Sequence, residues 1–495
     1  MAGFMIAAPR SGSGKTMVTC GILELLKRKQ KNPFSYKCGP DYIDGLFHRK
    51  VLGIEGGNLD SFFEQPQDIR EKYAAVSETH FPVVEGVMGY FDGLGGDTTA
   101  ASSWEVADIL NLPVVLVVDA KGASLSLAAL IKGFQVFQGE SQSSQANKNG
   151  NHIQAVILNR ISPMLYPRMK AVIEKETGVL VAGYVPELDF WQVGSRHLGL
   201  VLPGEIENLQ EQMRQLGDCL EKTLDVDVLL KLGEKADIDV LGSVTVTADG
   251  SSQKCEAQKN ADLVLQNQFA GEKISHSAIP IRLGVAWDEA FCFYYRDNLE
   301  FLEKQGVQIV QFSPVHDKHL PDDLDGLLLG GGYPELYAKA LEENETIRNE
   351  IRRKAEEDMP ILAECGGYLY LLKELEDENG TGYEMAGVFS GKGYKKGKNS
   401  HFGYITVQTE KDSLYLKAGE TIKGHEFHYW ESTQDENELE MQAKKPTGKR
   451  SWPCVTVKNQ VMAGFPHLYY PSLEGFGERF VQACDRYRMK RKRQQ

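Results

Sequence analysis

The feature that most constrains this chain lies near its start, where a short apolar run leads into a glycine-rich loop and then into a helical pattern. Residues 4–8 are apolar, residues 7–16 read AAPRSGSGKT, and the apolar side chains of the next two turns share one helical face. In such a strand–loop–helix unit, backbone N–H groups point at phosphate oxygens and the helix N-terminus adds a partial positive charge. The sequence therefore predicts a phosphate-binding loop.

The loop follows the pattern GxxxxGK[ST], except that Pro9 stands where the first glycine is usual. We expect Lys15 to neutralise the β- and γ-phosphates of ATP, and the hydroxyl of Thr16 to ligate Mg²⁺. A glycine-rich turn without a ligand is the alternative, and the strand–loop–helix context argues against it. The predicted ATP-binding residues of the loop are Ser11, Gly12, Ser13, Gly14, Lys15 and Thr16.

Acidic side chains follow two further β-type runs. Glu85 opens the segment EGVMGYFDG, which also holds Asp92, and the segment KCGPDYID supplies Lys37, Asp41 and Asp44. The carboxyl ends of parallel strands meet at one edge of a sheet, so these groups should lie near the phosphate loop. A carboxylate there can hold Mg²⁺, and we assign Glu85 and Asp41 to that role beside Thr16. Any single aspartate here is as often a turn or a helix cap.

The pattern around these segments is that of an α/β protein. Residues 4–8, 82–87, 113–118 and 154–158 are short, Val- and Ile-rich runs that alternate with amphipathic stretches. Non-alternating apolar runs are typical of parallel strands that are covered on both faces. Strands that alternate with helices predict a doubly wound parallel sheet. Polar residues 139–151 are interpreted as a surface insertion without an assigned function.

A second α/β domain is predicted after a polar stretch that lacks β-type runs. The apolar runs resume at residues 283–287, 308–312, 326–329 and 361–363. We predict a P-loop domain over residues 1–244, a linker over 245–280 and a second α/β domain over 281–495. The length of 495 residues suits about two to four domains.

Composition excludes several classes of protein. Hydrophobic residues make up 42% and charged residues 25%, which is typical of globular proteins, and the net charge of −14 argues against nucleic acid as a partner. No apolar run reaches the ~18–20 residues that span a bilayer. The eight cysteines include no CxxC pair, so we expect reduced thiols and a cytoplasmic location. A homodimer is one assembly that such a chain can form.

A thiol site is predicted in the second half of the chain. Residues 360–367 read PILAECGG and lead into an apolar helical pattern, which is the layout of a nucleophile elbow with Cys365 in place of serine. We expect the helix N-terminus to lower the pKa of the Cys365 thiol. Backbone N–H groups of Gly366 and of Gly332, in the glycine run 330–332, are the candidate oxyanion hole. A buried inert cysteine is the alternative.

The base that partners this thiol is harder to assign. His467 follows an apolar run late in the domain and is preferred over His401, His425 and His428. A lone histidine at such a position is more often structural. His425 and His428 flank Glu426, but the sequence HEFH does not match the zinc-binding pattern HExxH.

An ATP site and a thiol site in one chain suggest a division of labour. The thiol attacks the side-chain amide of glutamine and releases ammonia. The ATP site phosphorylates a carboxylate, and ammonia then displaces phosphate to form a new amide.

The chain resembles the cobyrinic acid a,c-diamide synthase family over nearly its whole length. The matching segments are APRSGSGKT, KCGPDYID, NLD, EGVMGYFDG, VVDAKG, ILNR, RHLGL, WDEAFCFYY, GGGYPEL, AECGGYLYL, GHEFHY and the stretch that ends in His467. The N-terminal half of that family is similar to dethiobiotin synthetase, and the C-terminal half to class I glutamine amidotransferases of the cobyric-acid branch. The resemblance implies ATP, glutamine and a corrinoid such as cobyrinate as substrates, with amidation at the a and c acetate groups.

The resemblance also implies residue roles. Cys365 is then the nucleophile and His467 raises its reactivity. The implied Mg-ATP and carboxylate-activation residues are Asp41, Asp44, Glu85 and Asp92. We further assign Lys37 to the catalytic residues and Asn159, in ILNR, to the ATP-binding residues.

Two positions depart from the pattern of these families. Many class I amidotransferases have a glutamate two residues after the histidine, where this chain has Tyr469, so the third member of the Cys–His system is vacant or supplied elsewhere. Ser195 replaces the usual acidic residue before Arg196 and His197. These two residues then shape either the substrate pocket or the domain interface.

Three alternatives remain at this stage. The same chemistry on hydrogenobyrinate or nickel sirohydrochlorin fits the same motifs. A ParA-like ATPase is a second alternative, and it has no need of an amidotransferase domain. A stand-alone glutaminase is the third, and the intact phosphate loop argues against it.

Overall fold

The structure, a computed structural model, describes most of both halves of the chain. The described residues are 2–137, 152–191, 195–196, 199–200, 209–234, 280–397, 401–435, 438–448 and 450–494. The predicted linker, apart from Pro280, and the predicted insertion at residues 139–151 lie outside the described residues, as does His197. The predicted domain boundaries therefore stay predictions.

The first half is built around a parallel sheet. Its seven described strands are β1 (Phe4–Ala7), β2 (Pro33–Cys38), β3 (Gly56–Leu59), β4 (Phe81–Glu85), β5 (Val114–Asp119), β6 (Ile153–Asn159) and β7 (Leu180–Val185). Their order is β3-β2-β4-β1-β5-β6-β7, and every pair is parallel. Alternate residues of β1 enter two different hydrophobic clusters, one on each face of the sheet. The predicted doubly wound sheet is confirmed.

Helices cover both faces of this sheet. They are α1 (Lys15–Arg28), α2 (Ile43–Phe47), α3 (Pro66–Ser77), α4 (Ser103–Leu110), α5 (Ser126–Val136), α6 (Tyr166–Thr177), α7 (Leu209–Thr223) and α8 (Val226–Glu234). The short elements between them are a single-turn π-helix at His48–Leu52, a 3-10 turn at Leu94–Gly96 and the two-residue strands β8 (Ser195–Arg196) and β9 (Gly199–Leu200). α7 packs on α1, and Gly3 N donates to Gly233 O at 3.1 Å, so residues 209–234 fold with the first half.

The second half contains a ten-stranded mixed sheet and smaller sheets. Its described strands are β10 (Ile281–Ala286), β11 (Phe291–Phe293), β12 (Val307–Phe312), β13 (Gly326–Leu329), β14 (Gly331–Gly332), β15 (Ile361–Glu364), β16 (Glu374–Glu376), β17 (Gly382–Glu384), β18 (Lys392–Lys395), β19 (Phe402–Gln408), β20 (Thr421–Phe427), β21 (Trp430–Ser432), β22 (Leu439–Lys444), β23 (Ser451–Lys458), β24 (Val461–Gly464) and β25 (His467–Leu468). The large sheet has the order β12-β10-β13-β15-β24-β23-β22-β19-β20-β25. The strands from β12 to β24 pair in parallel and the rest antiparallel.

Helices of the second half again lie on both faces of the large sheet. They are α9 (Arg296–Lys304), α10 (Ala338–Glu343), α11 (Glu345–Glu356), α12 (Gly366–Leu371) and α13 (Phe476–Gln494), with 3-10 turns at Pro334–Leu336 and Tyr470–Ser472. Ile361 and Ala363 enter one core cluster and Leu362 the other, which is the alternation of a strand buried on both faces. The second predicted α/β unit is thus present.

The two halves pack against each other through aromatic rings and ion pairs. The ring of Phe63 stacks on that of Tyr469 with centroids 4.9 Å apart. Lys72 Nζ lies 2.8 Å from Asp297 Oδ2. These contacts hold the carboxyl edge of the first sheet against the second half.

Among the described residues, no helix is both long enough and apolar enough to span a bilayer.

Candidate active site

The phosphate loop is held in shape from behind by β6. Gly14 has φ 95°, a left-handed conformation that favours glycine. Asn159 Nδ2 donates to Ser13 O at 2.9 Å, and a Cβ on Gly14 would lie 2.3 Å from that nitrogen. The structure therefore places the sequence-predicted Asn159 against the loop, where it fixes the loop's backbone.

A carboxylate, a hydroxyl and a lysine meet at the end of β4. Thr16 Oγ1 donates to Glu85 Oε1 at 2.6 Å, and Lys37 Nζ donates to the same oxygen at 2.8 Å. Lys37 also forms a close ion pair with Asp44 and lies 3.9 Å from Asp41 Oδ2. Five residues predicted from three separate segments are thus brought into one cluster.

The two lysines of this cluster differ in their electrostatics. Burial, together with the nearby charge of Lys37, lowers the pKa of Lys15 to about 8. Burial alone would lower the pKa of Lys37, but Asp44 and Glu85 raise it well above its usual value. Lys37 therefore remains a fixed cation, whereas Lys15, whose Nζ donates to Met88 O, loses its proton more easily, and an anionic ligand would stabilise its charged form.

Asp92 lies at the opposite side of the loop mouth. Its Oδ2 accepts from Gly89 N at 2.9 Å, and it lines a cavity together with Asp41. The predicted carboxylates therefore divide into a buried pair, Asp44 and Glu85, and a pair that faces open space.

The donor atoms at this edge fit Mg²⁺, which prefers oxygen ligands. Glu85 is fully buried, and its Oε2 has no hydrogen-bond partner among the described residues. A buried carboxylate oxygen without a partner is costly, so a ligand is expected there. The hydroxyl of Thr16 lies beside it, and Asp41 lies across from Lys37.

Cys365 lies on a strained turn between β15 and α12. Its backbone angles are φ 48° and ψ −102°, which are rare for any residue with a Cβ. A Cβ on Gly366 would lie 3.0 Å from Gly332 N, and one on Gly367 would lie 2.1 Å from Leu329 O. The crowding explains why small residues follow the cysteine, and it brings the two predicted oxyanion-hole residues together.

His467 reaches the same corner from β25. A Cβ on Gly331 would lie 2.3 Å from the His467 ring, so the ring covers the glycine run that packs on Gly366. Burial, with the nearby charge of His428, lowers the pKa of His467 to about 4. His467 is therefore neutral near pH 7 and able to accept a proton.

The expected low pKa of the thiol is wrong. Burial raises the pKa of Cys365 well above its usual value, and the carboxylates of Glu335, Glu426 and Glu364 raise it further. α12 spans only Gly366–Leu371, so its N-terminus does not offset this burial. The thiol is protonated in the empty site, and its deprotonation requires a base.

Glu364, which was not predicted from the sequence, is the candidate for the third member of the Cys–His system. Its Oε2 lies 3.9 Å from His467 Nδ1, an atom without a hydrogen-bond partner among the described residues. Its Oε1 accepts from Leu468 N at 3.3 Å and from Tyr470 OH at 3.1 Å. The sequence did hold a signal for this role. Glu364 is a charged residue at the end of an otherwise apolar strand, directly before Cys365.

The other three histidines have different surroundings. His401 Nδ1 and His428 Nε2 lie 3.3 Å and 2.8 Å from Glu426 Oε1, and these groups are close enough to hold a cation. Both ring nitrogens of His428 face oxygen acceptors, since Nδ1 lies 2.5 Å from Trp430 O. Burial alone would lower the pKa of His428, but the hydrogen bond and charge of Glu426 raise it, whereas burial lowers the pKa of His425 to about 3.

One cavity of about 920 Å³ connects the two candidate sites. Asp41 and Asp92 line it from the first half, and Cys365 and His467 line it from the second. Tyr42 stands between them, with its ring 5.4 Å from that of His467.

This fold and site define a class: a P-loop nucleotide-binding unit joined to a glutamine amidotransferase unit. Residues 4–200 match the family model described as the CobQ/CobB/MinD/ParA nucleotide binding domain. Residues 282–473 match the CobB/CobQ-like glutamine amidotransferase domain.

Similar proteins identify the family within this class. A cobyrinate a,c-diamide synthase of Caldanaerobacter subterraneus is 36% identical over 98% of both chains. Those of Streptococcus sanguinis and Salmonella typhimurium are each 37% identical, over 94% and 86% of this chain and 95% and 85% of their own. A solved glutamine amidotransferase of Methylobacillus flagellatus matches at 14% identity and a TM-score of 0.26, over 39% of this chain and 70% of its own. The chain belongs to the cobyrinate a,c-diamide synthase family.

Proposed function

We propose that this protein converts the a and c acetate carboxylates of cobyrinate into amides, with ATP and glutamine as co-substrates. The observation that carries the proposal is the single cavity between the thiol site and the carboxylates beside the phosphate loop. Ammonia released at Cys365 then has a path through this cavity to an activated carboxylate. The membership of the family supports cobyrinate as the substrate.

The second half releases the ammonia. His467 takes the proton of the Cys365 thiol, and Sγ attacks the side-chain amide carbon of glutamine. The N–H groups of Gly332 and Gly366 stabilise the oxyanion, and His467 passes its proton to the departing ammonia. Water then hydrolyses the thioester to glutamate, and Glu364 holds the imidazole of His467 in orientation throughout.

The first half activates the carboxylate. A carboxylate oxygen of the substrate attacks the γ-phosphorus of ATP, and ADP leaves. Lys15 neutralises the charge that develops on the phosphates, while Asp41 and Asp92 line the space for the acetate group. Ammonia attacks the acyl carbon and phosphate departs, which completes the amide.

Thr16, Glu85 and Asp41 are the residues proposed to hold Mg²⁺. The ion supplies charge neutralisation on the phosphates when it is bound. Lys37 and Asp44 fix Glu85 in its buried position, so the ligand geometry does not depend on solvent. Because the reaction consumes ATP and glutamine, and the cysteines of the described residues are free thiols, we place the protein in the cytoplasm.

Incubation with Mg-ATP, glutamine and a candidate tetrapyrrole tests this function by mass spectrometry of the product. We expect diamide formation on cobyrinate, and parallel reactions with hydrogenobyrinate and nickel sirohydrochlorin compare the alternatives. Faster amidation of hydrogenobyrinate or nickel sirohydrochlorin than of cobyrinate would identify that compound as the substrate instead. ATP hydrolysis without amide formation on any tetrapyrrole would favour a ParA-like ATPase.

A further inference from the structure

Glu335 is a buried carboxylate that the proposed mechanism does not use. It lies on the 3-10 turn Pro334–Leu336, directly after the glycine run of the oxyanion hole, and is only 8% exposed. Its side chain lines the cavity that also holds Cys365 and His467. A hydrogen bond from its own backbone N–H and the charge of Lys395 offset only part of the cost of burying its charge.

Ionisation of a buried carboxyl group costs free energy unless a cation lies beside it. Burial raises the pKa of Glu335 to about 8, because an isolated anion is poorly solvated there. After burial itself, Glu335 is the group that most raises the pKa of the Cys365 thiol. Near pH 7 Glu335 therefore holds its proton, and a cation that arrives with the substrate would favour its ionised form.

We propose that Glu335 binds the α-ammonium group of glutamine. This inference rests on the proposed glutaminase function and adds the group that selects an α-amino acid. Gly332 N lies against Gly366, so the turn that carries Glu335 begins where the amide of glutamine is bound. Glu335 follows Gly332 by only three positions, which places it within reach of the other end of so short a substrate.

The same contact makes the nucleophile dependent on its substrate. Above about pH 8, where Glu335 is ionised, an ammonium group paired with it neutralises the negative charge that opposes the Cys365 thiolate. His467 then removes the thiol proton at lower cost. Without glutamine, the thiol stays protonated and unreactive, which limits side reactions of an accessible cavity.

Glutamine and 4-carbamoylbutanoate, which is glutamine without the α-amino group, test the assignment as glutaminase substrates. The unsubstituted protein should prefer glutamine strongly in kcat/KM. Glu335→Gln should lose about 30-fold or more on glutamine and little on the analogue, because only glutamine carries the group that pairs with Glu335. Glu343→Gln, which changes an exposed glutamate on α10, should retain the full preference.

A second measurement follows the thiol without any substrate. The rate of Cys365 alkylation by iodoacetamide, measured between about pH 8 and pH 10, should rise in Glu335→Gln, because a charge that opposes the thiolate is removed. A variant that is merely misfolded would not combine faster alkylation with selective loss of glutamine hydrolysis.

Equal losses on glutamine and on the analogue, or an unchanged alkylation profile, would overturn the role of Glu335. Failure of the unsubstituted protein to hydrolyse glutamine would instead overturn the proposed function, and this inference with it. The two failures are distinguished by the unsubstituted protein alone.

Discussion

At the scale of single residues, the two halves each use a buried glutamate whose role depends on its neighbours. Glu85 is fully buried but contacts Thr16 and Lys37, so it is held as a ligand-ready carboxylate. Burial raises the pKa of Glu364 to about 8, and its other contacts orient it toward His467. The same residue type is therefore proposed to bind an ion in one half and to orient an imidazole in the other.

Glu85→Gln keeps the size of the side chain and removes its charge. We expect the Mg²⁺ concentration for half-maximal ligase activity to rise by about 10–100-fold, since a ligand of the ion is weakened. The defect should be the same with glutamine and with ammonia, because both donors need the activated carboxylate. Glu71→Gln, an exposed position on α3, is the matched control. An unchanged Mg²⁺ dependence would assign Glu85 a structural role.

Glu364→Gln preserves an oxygen acceptor for Leu468 N and Tyr470 OH but removes the ionisable carboxyl group near His467. Glutamine hydrolysis should fall by about 100-fold, because the imidazole is less well oriented as base and acid. Amide synthesis from ammonium salt should be unchanged, as should both activities in the surface variant Glu356→Gln. Parallel loss with both nitrogen donors would mean that Glu364 supports the fold instead.

At the scale of elements, the site depends on turns that only small residues can form. Cys365 lies on its strained turn, and the strand β14 lies against it. A Cβ on Gly332 would lie 2.0 Å from Ala290 O, a backbone atom that cannot move without shifting β11. The geometry of the predicted oxyanion hole therefore depends on how closely two backbone segments approach.

Gly332→Ala should therefore disable glutamine hydrolysis by displacing the glycine run. We expect a loss of about 10²–10³ in kcat, comparable to removal of one oxyanion donor, with ammonia-dependent synthesis retained. Gly133→Ala, in α5 with open space around its Cα, should leave both activities intact. Normal glutaminase kinetics in Gly332→Ala would exclude this strand from the oxyanion hole.

The sequence predicts the parallel strands better than the antiparallel ones, because the two kinds of strand are buried differently. Parallel strands such as β5 and β13 are continuous apolar runs, so they were recognised within about two residues of their bounds. The antiparallel strands β19 and β22 are partly exposed and rich in polar residues, and they were missed. Period-2 burial over a few residues is a weaker signal than an apolar run.

At the scale of the whole molecule, function depends on how the halves meet. Tyr404 OH donates to Asp60 Oδ2 at 2.9 Å, and Tyr42 stacks on Phe293 with ring centroids 5.6 Å apart. Tyr404, Tyr42 and Phe293 also line the cavity that joins the two sites. Each site could be predicted from its own motif. The contacts between the halves could not, because they join segments that are hundreds of residues apart and have no local pattern.

The central claim is that one chain makes ammonia in one half and uses it in the other. The most direct test is the initial rate of amide formation in Cys365→Ala and Lys15→Ala, each supplied with glutamine or with ammonium salt at a pH where some ammonia is unprotonated. Cys365→Ala should lose synthesis from glutamine and retain synthesis from ammonia, since the acyl phosphate needs no thiolate. Lys15→Ala should fail with both donors, because the phosphate charge is not neutralised. Synthesis from glutamine at the parent rate in folded Cys365→Ala, or equal loss with both donors, would contradict this division of labour.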